Sequence, residues 1–204
     1  MFRQLHDPRQ RAFTYLLADE DSGAALVVDP VPEGIALPLL GLVDELGLSL
    51  EVVLCTHVHR GEQPPLERLQ QRYGARLAAS AQAPISADVV LRDGDTLAFG
   101  REVLRVLATP GHTPGCLSFL WRDRVFTGGT LLIRGCGRTD PPDGDAGQLF
   151  DSITRLLMLP GDTLLFPGQE TDGRTVSTIA EERDHNPCVA GRSRDEFITL
   201  RSQS

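Results

Sequence analysis

Residues 52–62 read Val52-Val53-Leu54-Cys55-Thr56-His57-Val58-His59-Arg60-Gly61-Glu62. The stretch begins as a buried strand and ends in two histidines spaced two apart. Side-chain direction in an extended segment repeats every two residues, so His57 and His59 point the same way and can grip one ion from one side. A strand end is also where a rigid element delivers side chains into a cleft. The run then breaks off into Arg60-Gly61-Glu62, where a two-metal site would need further ligands. A third histidine, His112, lies in the tight loop Thr109-Pro110-Gly111-His112, directly after another apolar strand pattern at 102–108. Spacing alone does not bring His112 to the pair. Three unrelated polar loop residues remain the competing reading. His6 and His185 fall in surface-like segments and read as ordinary.

Outward from this stretch the first half of the chain is rich in strand signals. Residues 12–18 and 24–28 carry β-formers around the turn Asp21-Ser22-Gly23, which predicts a hairpin. A helix is expected over 37–46, and a buried strand over 51–55. A second helix is expected over 64–73, with Pro65 in its first turn and Gly74 as its C-terminal cap. Strands are expected at 76–79, 89–91, 102–108, 116–121 and 124–127. In the second half, Asp145-Ala146-Gly147-Gln148 is a capping-box pattern opening a helix to about Met158. A strand follows at 163–166. Two more capping boxes, at Thr178-Ile179-Ala180-Glu181 and Ser193-Arg194-Asp195-Glu196, open short helices. Mixed strands, hairpins and helices predict a layered α/β sandwich rather than a doubly wound parallel sheet. No glycine-rich phosphate loop follows the first strand.

The 204 residues suit a single domain over 1–204, and 41% hydrophobic content supports one sizeable core. All 20 basic residues are arginine, against 28 acidic ones, giving a net charge of −8. That balance, with no basic cluster, argues against nucleic acid and anionic membranes as partners. No run of apolar residues approaches the roughly 18 needed to span a bilayer, and the start carries no signal-peptide pattern. A cytoplasmic location is the expectation. Cys55, Cys116, Cys136 and Cys188 form neither a CxxC pair nor a dense framework, so structural zinc and disulfides are not expected. Cys136, between two glycines, reads as a packed loop thiol.

Several motifs in order resemble the metallo-β-lactamase superfamily, and within it the persulfide dioxygenase (sulfur dioxygenase) branch related to glyoxalase II. They are Phe2-Arg3-Gln4-Leu5, Tyr15-Leu16-Leu17-Ala18-Asp19, Val28-Asp29-Pro30-Val31, Thr56-His57-Val58-His59 and Thr109-Pro110-Gly111-His112-Thr113-Pro114-Gly115. The most specific is Leu132-Ile133-Arg134-Gly135-Cys136-Gly137-Arg138-Thr139-Asp140, similar to the hallmark of persulfide dioxygenases. Leu159-Pro160-Gly161-Asp162-Thr163, Ser177–Arg183 and Asn186-Pro187 follow. The resemblance implies a four-layer αββα sandwich with a metal cleft at one edge of its two sheets. It implies a metal such as Fe(II), a glutathione persulfide or related thiol as substrate, and a homodimer. It also implies that Arg134 and Arg138 help to bind the carboxylates of glutathione.

The departures from that pattern cluster. The superfamily's HxHxDH is degenerate here, with Gly61 at the Asp position and Glu62 at the second-site His. The bridging Asp position is Gly129, and the late His position is Gln169. Thr171 stands where the family has a Tyr, and Pro141 where it usually has Phe. The first-site histidines of the family correspond to His57, His59 and His112, and all three are present. The family's iron triad of two histidines and that Asp has no carboxylate at its matching position. Three readings stay open. One is a mononuclear site of three imidazoles holding Fe(II) or Zn(II), with Glu62 as fourth ligand, base or plain surface residue. The second is a metal-free pseudoenzyme that binds a thiol ligand or a protein partner. The third is a glyoxalase-II-like thioester hydrolase. An aspartate restored at Gly129 is expected to strengthen iron binding.

Overall fold

The computed structural model describes residues 1–31, 36–62, 67–140, 142–171 and 173–201. Alternation along the strands decides the layering. In the strand Ala12–Ala18, Phe13, Tyr15 and Leu17 join one apolar cluster, while Leu16 and Ala18 join another. In Ala24–Val28, Ala24, Leu26 and Val28 face the first cluster and Ala25 and Val27 the second. A period of two with both phases apolar requires a sheet covered on both faces.

That sheet has six strands in sequential order: β1 (Phe2–Asp7), β2 (Ala12–Ala18), β3 (Ala24–Val28), β4 (Ser49–Leu54), β5 (Arg76–Ser80) and β6 (Val89–Leu91). The pairs β1/β2 and β2/β3 are antiparallel, and β3/β4, β4/β5 and β5/β6 are parallel. The β3/β4 register slips once. Ala25 faces Leu50 and Leu26 faces Val52, so Glu51 steps out to solvent as a bulge while the apolar phase of β4 is preserved.

The second sheet begins with β7 (Thr96–Phe99), β8 (Glu102–Ala108), β9 (Leu117–Trp121) and β10 (Arg124–Gly128), an antiparallel meander. A small separate hairpin, β11 (Leu131–Leu132) and β12 (Gly135–Cys136), follows. Strand β13 (Leu164–Pro167) pairs parallel to β10, and β14 (Ser177–Thr178) closes that edge.

The two sheets pack face to face through Phe13, Tyr15, Leu26, Val52 and Leu54 on one side and Phe99, Phe119, Trp121, Phe126 and Phe166 on the other. Each such fully buried side chain contributes about 1.5–3 kcal/mol over its exposed state. Helices α1 (Ala36–Glu45) and α2 (Glu67–Tyr73) cover the outer face of the first sheet through Leu39, Val43 and Leu69. Helices α3 (Ala146–Leu157), α4 (Ile179–His185) and α5 (Arg194–Arg201) cover the second through Leu149, Ile153, Leu156, Ile179 and Phe197. The result is the four-layer αββα sandwich expected from the motifs.

Local signals explain the helix starts. Asp145 accepts from Gln148 N at 2.8 Å, and Thr178 Oγ1 accepts from Glu181 N at 3.1 Å. Glu196 accepts from Ser193 N at 2.8 Å, closing a capping box. Gly74, at φ +66°, ends α2 with its N–H on the Gln70 carbonyl. Pro65, expected in the first turn of α2, lies outside the described residues, as does Pro141. Strands β1 and β7 were not apparent in the sequence. β1 is an edge strand mixing Arg3, Gln4 and His6 with apolar residues, and β7 spans four residues; neither offers a long alternating run. Among the described residues no helix is long and apolar enough to cross a membrane.

Candidate metal centre

The C-terminal end of β4 and the loop between β8 and β9 meet at one edge of the sandwich. Leu117 N at the start of β9 donates to the Thr56 carbonyl at 2.7 Å, tying the two sheets together beneath the histidines. The ring centroids of His57, His59 and His112 lie 5.3, 5.0 and 4.8 Å apart in the pairs 57–59, 57–112 and 59–112. Their planes are tilted by 87, 64 and 80° respectively. The rings are therefore not stacked on each other. They turn ring nitrogens toward one point, with one ligand atom from each residue lying within 4.8 Å of the others. This is the only three-ligand group of His, Cys, Asp or Glu side chains among the described residues.

Two of the rings are held by their second nitrogen. Asp29, at the end of β3, accepts from Thr56 N at 2.7 Å and from Thr56 Oγ1 at 2.6 Å. The threonine proton is thereby committed to Asp29. Its oxygen, 2.8 Å from His57 Nδ1, can only accept, so His57 carries its proton on Nδ1 and leaves Nε2 free. His112 Nδ1 lies 2.9 Å from the Arg138 carbonyl, which can only accept, so His112 too presents a bare Nε2. Burial is the largest influence on both rings. It lowers His57 to about 3, with the neighbouring His112 and His59 adding to the effect, and it lowers His112 as well. Both are neutral imidazoles at pH 7, the form that ligates metal. Burial raises Asp29 to about 6 against the two Thr56 hydrogen bonds, so its carboxylate is mostly ionised at neutral pH.

Glycines make this arrangement fit. A Cβ on Gly128, at φ +52°, would sit 2.2 Å from Thr56 Oγ1. A Cβ on Gly111, at φ +131°, would meet the backbone of α3 at Leu149 N, 2.2 Å away. Helix α3 braces the His112 loop there: Asp145 N donates to the Gly111 carbonyl at 2.8 Å and Ser152 Oγ to the Pro110 carbonyl at 2.7 Å. The positioning roles of Asp29, Thr56 and Gly128 were missed in the sequence. The available signal was a lone carboxylate, Asp29, ending five buried apolar residues in front of a proline.

The positions without ligands look different. Gly61 and Glu62 form an exposed turn, with Gly61 at φ +82° and Glu62 N donating to the His59 carbonyl at 3.1 Å. The Glu62 carboxylate accepts from His59 N at 3.3 Å and is not part of the three-histidine group. Gln169 is exposed and bridges Ala12 at the margin of the sheets. Gly129 lies against His112, where an added Cβ would come within 2.5 Å of Cδ2 and 2.9 Å of Nε2. The His112 imidazole stands where the Cβ of an aspartate would enter, so the strengthening expected from a restored Asp requires the ring to give way.

Three imidazoles on one side of a cleft fit one divalent first-row ion. They do not fit the two-histidine, one-carboxylate iron triad, because Gly129 supplies no oxygen. The cleft above the rings, about 130 Å³, is lined by His59, His112, Arg138, Asp140, Pro142 and Asp143. Arg138 pairs only loosely, at 3.2 Å, with Asp140, and both are largely exposed. Arg134 is elsewhere: its guanidinium binds the Glu181 carboxylate at 2.7 Å, and its N–H donates to Glu182 at 2.9 Å. The two arginines expected to act together are thus separated, one on the cleft rim and one in a structural ion pair.

A family model described as the metallo-beta-lactamase superfamily matches residues 60–169. Human mitochondrial persulfide dioxygenase ETHE1 is 41% identical over 98% of this chain and 80% of its own length. A hydroxyacylglutathione hydrolase of Cereibacter sphaeroides is 36% identical over 92% of this chain and 80% of its own. The crystal structure of ETHE1 from Myxococcus xanthus superposes with a TM-score of 0.94 at 47% identity, covering 99% of this chain and 90% of that one.

Proposed function

This chain belongs to the metallo-beta-lactamase superfamily, on its persulfide dioxygenase branch, and from that premise we propose that it is a mononuclear metal enzyme acting on a small thiol persulfide. The observation that carries the reading is the convergence of His57, His59 and His112, with the outward nitrogens of His57 and His112 already engaged. Such rings need little reorganisation to bind, because partners on the second nitrogen fix tautomer and orientation. Fe(II) is the ion we assign, since oxygenation of sulfur requires a redox-active centre, and Zn(II) is the alternative. When bound, the ion supplies Lewis acidity and open coordination positions at the cleft floor.

The chain's own residues do the rest. Asp29 and Thr56 keep the His57 proton on Nδ1, and the Arg138 carbonyl does the same for His112. The cleft admits the sulfur end of a substrate but not a whole tripeptide, at about 130 Å³ against the several hundred typical of a full ligand pocket. The remainder of a glutathione persulfide would lie along the rim, where the Arg138 guanidinium can take a carboxylate in a two-point contact. Arg134, committed to Glu181, would support the loop that carries Arg138. Glu62 would hold the turn after His59 through the His59 N–H.

Anaerobic loading with Fe(II), followed by oxygen uptake on addition of glutathione persulfide, tests the reading. Uptake that disappears in His112→Ala is expected. An iron-loaded chain that consumes no oxygen overturns it. A metal-free module binding a thiol or a protein is the second reading, favoured by the absent carboxylate at Gly129; it predicts no stoichiometric metal. Thioester hydrolysis by a zinc-loaded chain would point instead to the hydrolase relatives.

A further inference from the structure

Away from the histidines, two of the four cysteines come together under a single arginine. Cys136 lies in β12 and Cys188 in the loop after α4, and both are half-buried, unlike the buried Cys55 and Cys116. Both sulfurs lie against the same guanidinium nitrogen. The Arg201 guanidinium, in the last turn of α5, donates through Nη2 to both sulfurs, and also to the Cys136 carbonyl at 3.3 Å. Its buried Nε has no hydrogen-bond partner among the described residues.

The scaffold holding the pair is rigid. Asn186 is fully buried, and its Nδ2 donates to the carbonyls of Leu132 and Gly135 at 3.1 and 3.0 Å and to Glu182 at 2.8 Å. Its Oδ1 accepts from Cys188 N at 2.9 Å. Asn186 therefore pins the Cys188 loop to the hairpin that carries Cys136. A charged guanidinium over two adjacent thiols favours one thiolate between them.

We propose that Cys136 and Cys188 form a second sulfur-reactive site, a dithiol that reduces low-molecular-weight compounds with an exchangeable sulfur–sulfur bond and closes to an intramolecular disulfide. Cys188 is the attacking thiolate. Its thiol is lowered by the neighbouring Cys136 and by the charges of Arg201 and Arg192, while Cys188 beside it and burial raise Cys136. With a disulfide RSSR, Cys188 Sγ bonds to one sulfur and RS⁻ leaves. Cys136 then attacks Cys188 Sγ, gives its proton to the departing thiolate, and expels the second RSH. Two thiols are oxidised to one disulfide as RSSR is reduced to two RSH. With a persulfide RSSH, Cys188 takes the outer sulfur and RSH leaves. Attack by Cys136 on Cys188 Sγ then expels hydrogen sulfide. The site depends neither on a metal nor on the reading of the histidine cleft.

The test uses the full chain, anaerobically, with glutathione disulfide as probe, followed by alkylation under denaturing conditions and peptide mapping. Two of four thiols should be lost, in a Cys136–Cys188 crosslink. Cys136→Ser should trap one glutathione on Cys188. Cys188→Ser should react at least about tenfold more slowly, as should Arg201→Gln, since losing the cation lowers the thiolate fraction. Replacing the probe with glutathione persulfide should release one hydrogen sulfide per chain, which separates the two substrate sources. All four thiols remaining alkylatable in the native chain overturns the proposal. So does a glutathione adduct that persists on Cys188 with Cys136 intact.

Discussion

The ring side of the cleft and its open side are built to different standards. On the ring side, His57 and His112 each have a partner for the nitrogen that faces away from the cleft, Thr56 and the Arg138 carbonyl, and Thr56 is held in turn by Asp29. On the open side, Gly61 and Glu62 form a solvent-exposed turn and Gln169 is exposed and pairs with Ala12 at the sheet margin. Between the two, the His112 ring lies against Gly129. A metal site is more than its ligands, because losing an outer-shell partner costs about 10–100-fold in affinity. Here two of the three histidines keep a partner on the outer ring nitrogen, while Gly61, Gly129 and Gln169 supply no ligand to the group. That pattern supports the proposed one-metal site rather than a two-metal site.

The comparison breaks most sharply at its ligands. His112→Ala should weaken metal binding by more than roughly 100-fold, since a ligand outranks a supporting partner, whereas Gln169→Ala should leave affinity within about twofold of the parent chain, as surface changes do. Equal losses in calorimetric titrations of both variants would erase the distinction. Next comes the filled space. Gly129→Ala drives a methyl into the His112 ring and should cost about 10–100-fold, and Gly129→Asp should recover only part of that, because its carboxylate arrives with the same clash. An aspartate variant that binds more tightly than the parent would mean that the ring yields freely.

Thr56→Val keeps the shape and removes the contact to His57, so a loss of about tenfold is expected; an unchanged affinity would show that His57 needs no orienting partner. The smallest effects separate the two arginines. Arg138→Gln should raise KM for glutathione persulfide about tenfold with kcat little changed, the signature of lost uniform binding. Arg134→Gln should instead cost about 1 kcal/mol of stability in denaturant unfolding through its pair with Glu181. Exchanged phenotypes would place Arg134, not Arg138, on the substrate.

Much of the scaffold was legible in the chain. The β-rich runs 12–18 and 24–28, the Asp145, Thr178 and Ser193 caps and the Gly74 stop all report local chemistry, and local chemistry is what a sequence displays. The edge strand β1 and the short β7 escaped because pairing, not propensity, makes them strands. The site was legible in part: the two-residue spacing of His57 and His59 announced a shared face. Only tertiary packing brings His112 to them through α3 and the Gly111 turn, and the motif resemblance alone anticipated it. The Asp29–Thr56–His57 chain spans two strand ends 27 residues apart, which no periodicity encodes. The filling of the Gly129 space by His112 is likewise a property of packing. So is the meeting of Cys136 with Cys188, from a hairpin and a loop 52 residues apart that Asn186 fastens together.

The most direct measurement is the metal stoichiometry of the full chain, purified without chelators and then reconstituted anaerobically with Fe(II) or Zn(II), by elemental mass spectrometry. The account predicts one ion per chain, lost in His112→Ala. No ion after reconstitution, or two ions per chain, would contradict it.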